Sequence, residues 1–447
     1  MTEINSTEFF CDLCDHCIYL LRAGAVCLDR DNFSSCFFCK FFSSFLCLFK
    51  VKIYDRYICS CFCKSCCSAF ADSSCRSCSN QIKETNRTLI YQYIYKKKKV
   101  SQQDISYDLH LSRPTVTTNL SSLEEDGLIV KSGQIDTEYV GRKASAYSVV
   151  SDFRVGIGVE ILSEEIKMIA VDLYGTKIER YVYGITYRDE DPYFQKVCRE
   201  ILEFKDRIGI SDEQILGIGF AMQGLVSPDG QSVIYGKILE CTGLSITAFT
   251  RYLPYPCTFL HDSDSAAISE LWVSPELQDA FYLSLSKHLG ASLIAGRELV
   301  TGKHGHSSTI EHIQMQPEGR LCYCGKKGCM ETLCSLSALL DDTETLDTFF
   351  EKVHDRQTNA VDRWHQYLSH LAKSINLLHL IYDKDFILGG YLAPCLQEKD
   401  LSYIHEEIRR MTPFPESQDF LHISKMPKHN ITIGAALPYI KEFLGIK

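Results

Sequence analysis

The chain has 447 residues, 45% apolar and 23% charged, with a formal net charge of −10. That length predicts two or three domains at about 150 residues each, and the composition is ordinary for a soluble globular protein. The acidic balance excludes a protein wrapped along its length in nucleic acid, but not a small DNA-binding domain on an acidic body.

Residues 1–80 stand apart. They hold 14 of the 22 cysteines, with 11 Phe and 12 Ser. Three readings stay open. Cys11, Cys14 and Cys17, Cys36–Cys39, and Cys75–Cys78 have the spacing of structural zinc ligands, although close pairs also arise from cysteine density alone. A second reading is a disordered or partly membrane-associated tail. The third is that 1–80 is not a folded domain: Phe, Ser and Cys codons are pyrimidine-rich, so translation upstream of a later start gives this composition. The third is the working expectation. The start lacks the basic region of a secretory signal. The apolar stretch from Cys36 to Phe49 is too short to span a membrane and is interrupted by Lys40. The expected location is the cytoplasm, with reduced thiols.

The texture changes at Gln81. In NRTLIYQYIY, Leu89, Ile90, Tyr93 and Ile94 share one helical face. After a basic run, Lys96 to Lys99, Ser101 and Asp104 form a capping-box start, and Ile105 and Leu109 repeat at four residues. Ser112 is a second N-cap, and Pro114 is tolerated in a first helical turn. Val116, Leu120 and Leu123 make an inward stripe, and Gly127 stops the helix. Two short capped helices with a tight connection predict a helix-turn-helix within residues 81–150. The second helix then points Arg113, Thr115, Thr117, Thr118 and Ser121 outward, toward the major groove of an operator duplex. LIVKSG to ASAYSVV predicts a β-hairpin wing carrying Gly141, Arg142 and Lys143, suited to phosphates or a minor groove. The competing reading is a helical hairpin that binds no DNA, since 81–147 holds only 10 basic against 8 acidic residues.

Across 151–447, strand-like runs alternate with amphipathic stretches such as 192–206 and 361–380. This predicts an α/β architecture. With the winged helix ahead of it and the segment HGHSSTIEHIQMQPEGRLCYCGKKGCMET within it, the chain from 81 onward resembles the ROK family of repressors, open reading frames and sugar kinases. The resemblance implies a two-lobed actin/hexokinase-like (ribonuclease H-like) effector domain over 151–447. It also implies a structural zinc ion on His312, Cys322, Cys324 and Cys329. The chemistry agrees: three thiolates and one imidazole close a tetrahedral site, and Gly325 permits a tight turn.

The kinase motifs of the family are altered. The first phosphate turn, Asp-x-Gly-Gly-Thr, reads Glu160, Ile161, Leu162, Ser163, Glu164. The second, Gly-Thr-Gly, reads Ser286, Lys287, His288; the nucleotide-side glycines persist as Gly389 and Gly390, followed by Tyr391. Where the family has Glu-Asn-Asp with its catalytic base, this chain has His261, Asp262, Ser263. Serine is no general base, and Asp262 or Asp264 substitutes only with a one-residue backbone shift. Loss of ATP-dependent phosphorylation is therefore expected, and no catalytic residue is assigned. Of the family's sugar contacts, His312 and Glu331 match, Asp262 and Ser263 stay polar, and the glutamate three residues before the histidine is Thr309. These four, Asp262, Ser263, His312 and Glu331, are the candidate ligand contacts. The pocket then takes a modified or different sugar, or none, and Glu331 has the plainer role of a helix-start residue. The resemblance implies a homodimeric, sugar-responsive transcriptional repressor. A residual sugar kinase and a constitutive DNA-binding protein are the alternatives.

Overall fold

Capping decides where the first helices of the second unit begin and end. The computed structural model describes residues 74–135, 144–413, 415, 420–426 and 428–446. The chain divides into two units, 1–84 and 85–447. Cys11, Cys14, Cys17, Cys36 and Cys39 lie outside the described residues, and so do Gly141, Arg142 and Lys143 at the wing tip.

Helix α1 (Ser74–Lys97) leads through the short strand β1 (Val100–Ser101) into α2 (Gln102–Asp108) and α3 (Arg113–Glu125). Ser101 caps α2 in a reciprocal box: Asp104 N–H donates to Ser101 Oγ at 3.2 Å, and Ser101 N–H to Asp104 Oδ2 at 2.9 Å. At α3, Thr115 N–H donates to Ser112 Oγ at 3.3 Å, Pro114 sits in the first turn, and Gly127 follows the end at φ +74°. Strands β2 (Ile129–Ile135) and β3 (Ala144–Val149) form the antiparallel wing, with β1 on the other edge of β3.

The buried face of α1 is turned from the sequence expectation. Ile90, Tyr91 and Ile94 are buried, while Leu89 and Tyr93 are only half-buried. The reason is tertiary. The helix packs on α2 and α3 and also on the body, so Val116, Leu120 and Leu123 share one core with Ile169, Val171, Leu437 and Ile440.

The body repeats one topology. In the first lobe, β4 (Val155–Ile161), β5 (Glu165–Val171) and β6 (Lys177–Gly184) run antiparallel, and β7 (Ile215–Met222) and β10 (Cys257–His261) add in parallel beside β4. A small hairpin, β8 (Leu225–Val226) and β9 (Val233–Tyr235), follows β7. In the second lobe, β11 (Ala280–Leu285), β12 (Leu289–Ala295) and β13 (Glu298–Leu299) are antiparallel, and β14 (Phe386–Gly389) and β15 (Leu421–Ile423) add in parallel beside β11. The strand orders are β10-β7-β4-β5-β6 and β13-β12-β11-β14-β15, the same sheet twice. This is the expected two-lobed, ribonuclease H-like architecture.

Each lobe has its own core. Val155, Ile157 and Val159 pack on Phe194, Val197, Ile201 and Phe204 of α4 (Asp191–Arg207). Phe281 and Leu283 pack on Trp364, Leu368 and Ile375 of α6 (Thr358–Tyr382). Between the lobes lie α5 (Asp262–Val273) and the last helix, α8 (Asn430–Leu444); α7 (Glu398–Met411) lies against α6 in the second lobe.

Helix α8 approaches its neighbours at backbone distance. A Cβ on Gly158 would stand 1.7 Å from Thr432 O, one on Gly219 1.9 Å from Ala435 O, and one on Gly434 1.7 Å from Ser265 O. Gly434→Ala should therefore reverse the usual sign of helix propensity. In an open helix the change stabilises by about 1 kcal/mol. Here the clash with a backbone oxygen should cost about 1–3 kcal/mol, read as a lower urea midpoint at unchanged slope.

Candidate functional site

The α3 surface is built by its cap. Arg113, Thr117, Thr118 and Ser121 are exposed and Thr115 is half-buried, while Val116, Asn119, Leu120 and Leu123 face inward. The threonine hydroxyls bond within the motif. Thr117 Oγ1 donates to Arg113 O at 2.8 Å and Thr118 Oγ1 to Pro114 O at 3.0 Å, while Thr115 and Ser112 share a hydrogen at 2.8 Å. Among the described residues the Arg113 guanidinium makes no ion pair. Gln102, at the start of α2, donates its amide to Thr117 Oγ1 at 2.5 Å and so lies on the same surface. Sequence reasoning missed it, although its place directly after the Ser101 cap was a signal. Arg87 holds the far end of α3, reaching Ser122 Oγ and Asp126 Oδ2, each at 2.6 Å.

The cysteine-histidine group assembles from three short segments. A turn of 3-10 helix, Ile310–His312, presents the imidazole. Gly325 N–H closes on Cys322 O at 2.9 Å, with Gly325 at φ +90°. Cys329 arrives just before the short helix Glu331–Cys334. The ligand atoms of His312, Cys322, Cys324 and Cys329 lie within 4.8 Å of one another. Cys324 Sγ and Cys329 Sγ are 3.7 Å apart, and Cys322 Sγ and His312 Nδ1 3.8 Å. A tetrahedral ion with bonds of about 2.3 Å has edges of about 3.8 Å, so these side chains can hold a metal ion. Burial pushes the Cys324 thiol up, but hydrogen bonds from Lys326 N–H and from the Cys322 and Cys329 thiols outweigh it and hold the group below its ordinary value.

His312 and Glu331 carry this group into a cleft. Asp262 opens α5 at the end of β10, and His261 Nε2 lies 3.3 Å from Asp262 Oδ1. Burial disfavours protonation of His261, but Asp262, Asp264 and Glu311 outweigh it and raise its pKa above the ordinary value. Glu331 is buried, with His288 Nδ1 at 2.8 Å from one oxygen and Leu289 N–H donating to the other at 2.7 Å. Ser263 is placed differently from the other three candidates. It is fully buried, its hydroxyl donates to Asp262 Oδ1 at 3.2 Å, and it packs on Gly290. Glu311 was not singled out, because the expected glutamate position was that of Thr309. Its carboxyl is nevertheless buried, 3.7 Å from His312 Nε2. Burial chiefly, with Glu331 and Asp262 adding, pushes it up to about 7.

The nucleotide side of the cleft is crossed by protein groups. Tyr391, next to Gly390, donates its hydroxyl to Glu160 Oε1 at 3.3 Å. Lys167 Nζ donates to Tyr391 Oη at 2.7 Å, and Thr432 Oγ1 to Glu160 Oε2 at 3.2 Å. Burial raises the Glu160 carboxyl, although Lys167 opposes. The surviving glycines have packing reasons: a Cβ on Gly389 would lie 1.9 Å from Tyr282 Oη, and Gly390 sits at φ +80° against Leu285.

A winged helix-turn-helix DNA-binding model matches residues 84–130, and the ROK family model matches 156–439. The chain is similar to the DNA-binding transcriptional dual regulator NagC of Escherichia coli K12, at 25% identity over 263 residues, 58% of this chain and 64% of that one. It thus spans a little under two thirds of the length of that relative. A ROK family transcriptional regulator, a homologue of the E. coli MLC protein, superposes with a TM-score of 0.63 at 20% identity, covering 81% of this chain and 96% of that one. A ROK family glucokinase from Streptomyces griseus, solved with glucose and AMPPNP, superposes with a TM-score of 0.56 at 20% identity, covering 64% of this chain and 98% of that one. Among the described residues no helix is long and apolar enough to cross a membrane. With its two repeated sheets and a family match over residues 156–439, the chain belongs to the ROK family.

Proposed function

We propose that this protein is a DNA-binding transcriptional regulator of carbohydrate metabolism, acting as a repressor. In this reading its ROK domain holds a sugar or sugar derivative instead of phosphorylating it. One observation carries the reading. A capped helix whose exposed Arg113 has no ion-pair partner among the described residues stands on a sugar-kinase fold whose nucleotide side is crossed by Tyr391, Lys167 and Glu160. The first feature suits base reading in a major groove. The second works against ATP, since a phosphate turn needs free backbone N–H groups and tolerates no carboxylate among them. The names of the relatives, NagC among them, support the same class.

We assign the roles as follows. Arg113, Thr115, Thr117 and Thr118 set sequence preference, and Arg142 and Lys143 add phosphate contacts. Asp262, His312 and Glu331 face the effector, with Glu311 beside them, and Ser263 holds Asp262 in place. A homodimer supplies two heads for a two-fold operator. The metal is zinc: three thiolates and one imidazole with the spacing given above are a closed structural set. It pins the 312–329 loop beside the cleft.

Operator selection tests the reading. The purified protein is mixed with random duplex DNA, with and without a panel of sugars and sugar phosphates. The expected result is a symmetric site that one sugar releases. No enriched site would sink the proposal, and a site indifferent to every sugar would favour a constitutive DNA-binding protein. On the selected site, Arg113→Ala should lose about 1–3 kcal/mol of discrimination at one base pair per half-site. Uniform weakening on all sequences would count against base reading by Arg113. Cys324→Ser should lose the bound zinc on elemental analysis and lower the melting temperature; an unchanged zinc content would refute the ligand set.

A further inference from the structure

We propose that the last helix, α8, is the mechanical link between the inter-lobe cleft and the DNA-binding head. The inference rests on the regulatory reading above and specifies how its two ends communicate. The first turn of α8 is bonded to both lobes. Thr432 Oγ1 donates to Glu160 Oε2 of the first sheet at 3.2 Å. Asn430 Nδ2 donates to Tyr282 Oη of the second sheet at 2.8 Å, and Ser269 of α5 donates to Asn430 O. Glu160 is in turn tied to Tyr391, which belongs to the second lobe. A change in the angle between the lobes therefore cannot leave this turn untouched.

The last turn of α8 meets the head. Its terminal carbonyls have no partners within the helix. Gln92 of α1 supplies them, its amide donating to Leu444 O at 2.9 Å and Gly445 O at 3.0 Å. The ends are about 21 Å apart, at 1.5 Å per residue. Between them the helix is clamped: Gly158, Gly219 and Gly434 allow backbone contacts that leave no slack for a side chain to absorb a shift. The head has a second anchor on the turn after β5 of the first lobe, where Tyr95 stacks on Tyr174 at 4.7 Å and donates to Leu173 O at 2.9 Å, and Tyr174 O accepts from Trp272 of α5 at 2.8 Å. With one anchor on this first-lobe turn and the other on a helix bonded to both lobes, lobe movement tilts α1.

Hydrogen exchange on the full chain tests the link without DNA or effector. Thr432→Val, and separately the partly exposed Tyr391→Phe, should speed exchange in residues 85–97 by about two- to tenfold, the equivalent of one hydrogen bond. Residues 358–382 of α6 serve as control and should not change. Unchanged exchange at 85–97 in both variants overturns the link, and so does an equal rise in both segments, which is general destabilisation. Duplex binding gives the second readout, through a cycle of Thr432→Val and Gln92→Leu on a site selected by the wild type. Independent residues this far apart multiply within about twofold; a larger departure supports the link, and simple multiplication counts against it. If the wild type selects no duplex, the regulatory reading fails, while the exchange experiment still decides whether α8 couples cleft and head.

Discussion

Backbone-to-backbone packing around one helix organises the molecule. Helix α8 lies on β4 and β7 where Gly156, Gly158, Gly217 and Gly219 present no side chains, and sets its own Gly434 against Ser265 of α5. Such contact leaves no compressible layer, since dense interiors transmit strain instead of absorbing it. The flanking apolar residues of α8, Ile433, Leu437, Ile440 and Leu444, then face Ile90 and Ile94 of α1 in one core. The head is thus no separate bead on a linker. Its core is completed by the body, and the same helix completes the floor between the lobes.

The cleft shows how the packing of a sugar-kinase fold persists where its phosphate-turn sequences differ. Glycines at 389 and 390 survive because Tyr282 and Leu285 crowd them. Tyr391, Lys167 and Thr432 surround a buried carboxylate at Glu160, the position where the kinase pattern has an aspartate. An unpartnered buried carboxylate would cost several kcal/mol; here hydrogen bonds and one ammonium group meet it from within the chain. Tyr391 and Glu160 thereby make a contact between the lobes.

What could be read from sequence was local. The Ser101 box, the Ser112 cap, Gly127 and the Cys-His spacing act within a few residues, and the structure gives each the predicted local geometry. The two-lobed fold was legible through the family motifs. Other features arise only from contacts distant in sequence. Tyr91 is buried because the body covers a second side of α1, which periodicity within one helix does not report. Glu311 reads as a charged residue beside a candidate metal ligand, yet it is buried and close enough to His261 and Asp262, about fifty residues away, for their charges to act on it. The Lys167–Tyr391 and Gln92–Leu444 bonds span 224 and 352 residues. Ser263 looked like a cleft residue by its motif position, yet the first turn of α5 rotates it onto Gly290.

A ligand shifts a conformational equilibrium only by as much as it binds one state more tightly than the other. In the proposed regulator the nucleotide half of the cleft is already bridged by Tyr391 and Glu160, so that half offers little to an effector. The difference must come from the other half. There, His261 and Asp262 stand at the end of a first-lobe strand, while Glu311, His312 and Glu331 come from the second lobe. A ligand held by both sets is sensitive to the lobe angle, and one held by a single set is not. A metal ion on His312, Cys322, Cys324 and Cys329 would fix His312 and the start of the Glu331 helix relative to each other. The second-lobe half of the site would then move as a unit, and the effector of the proposed regulator would read the gap between two rigid walls.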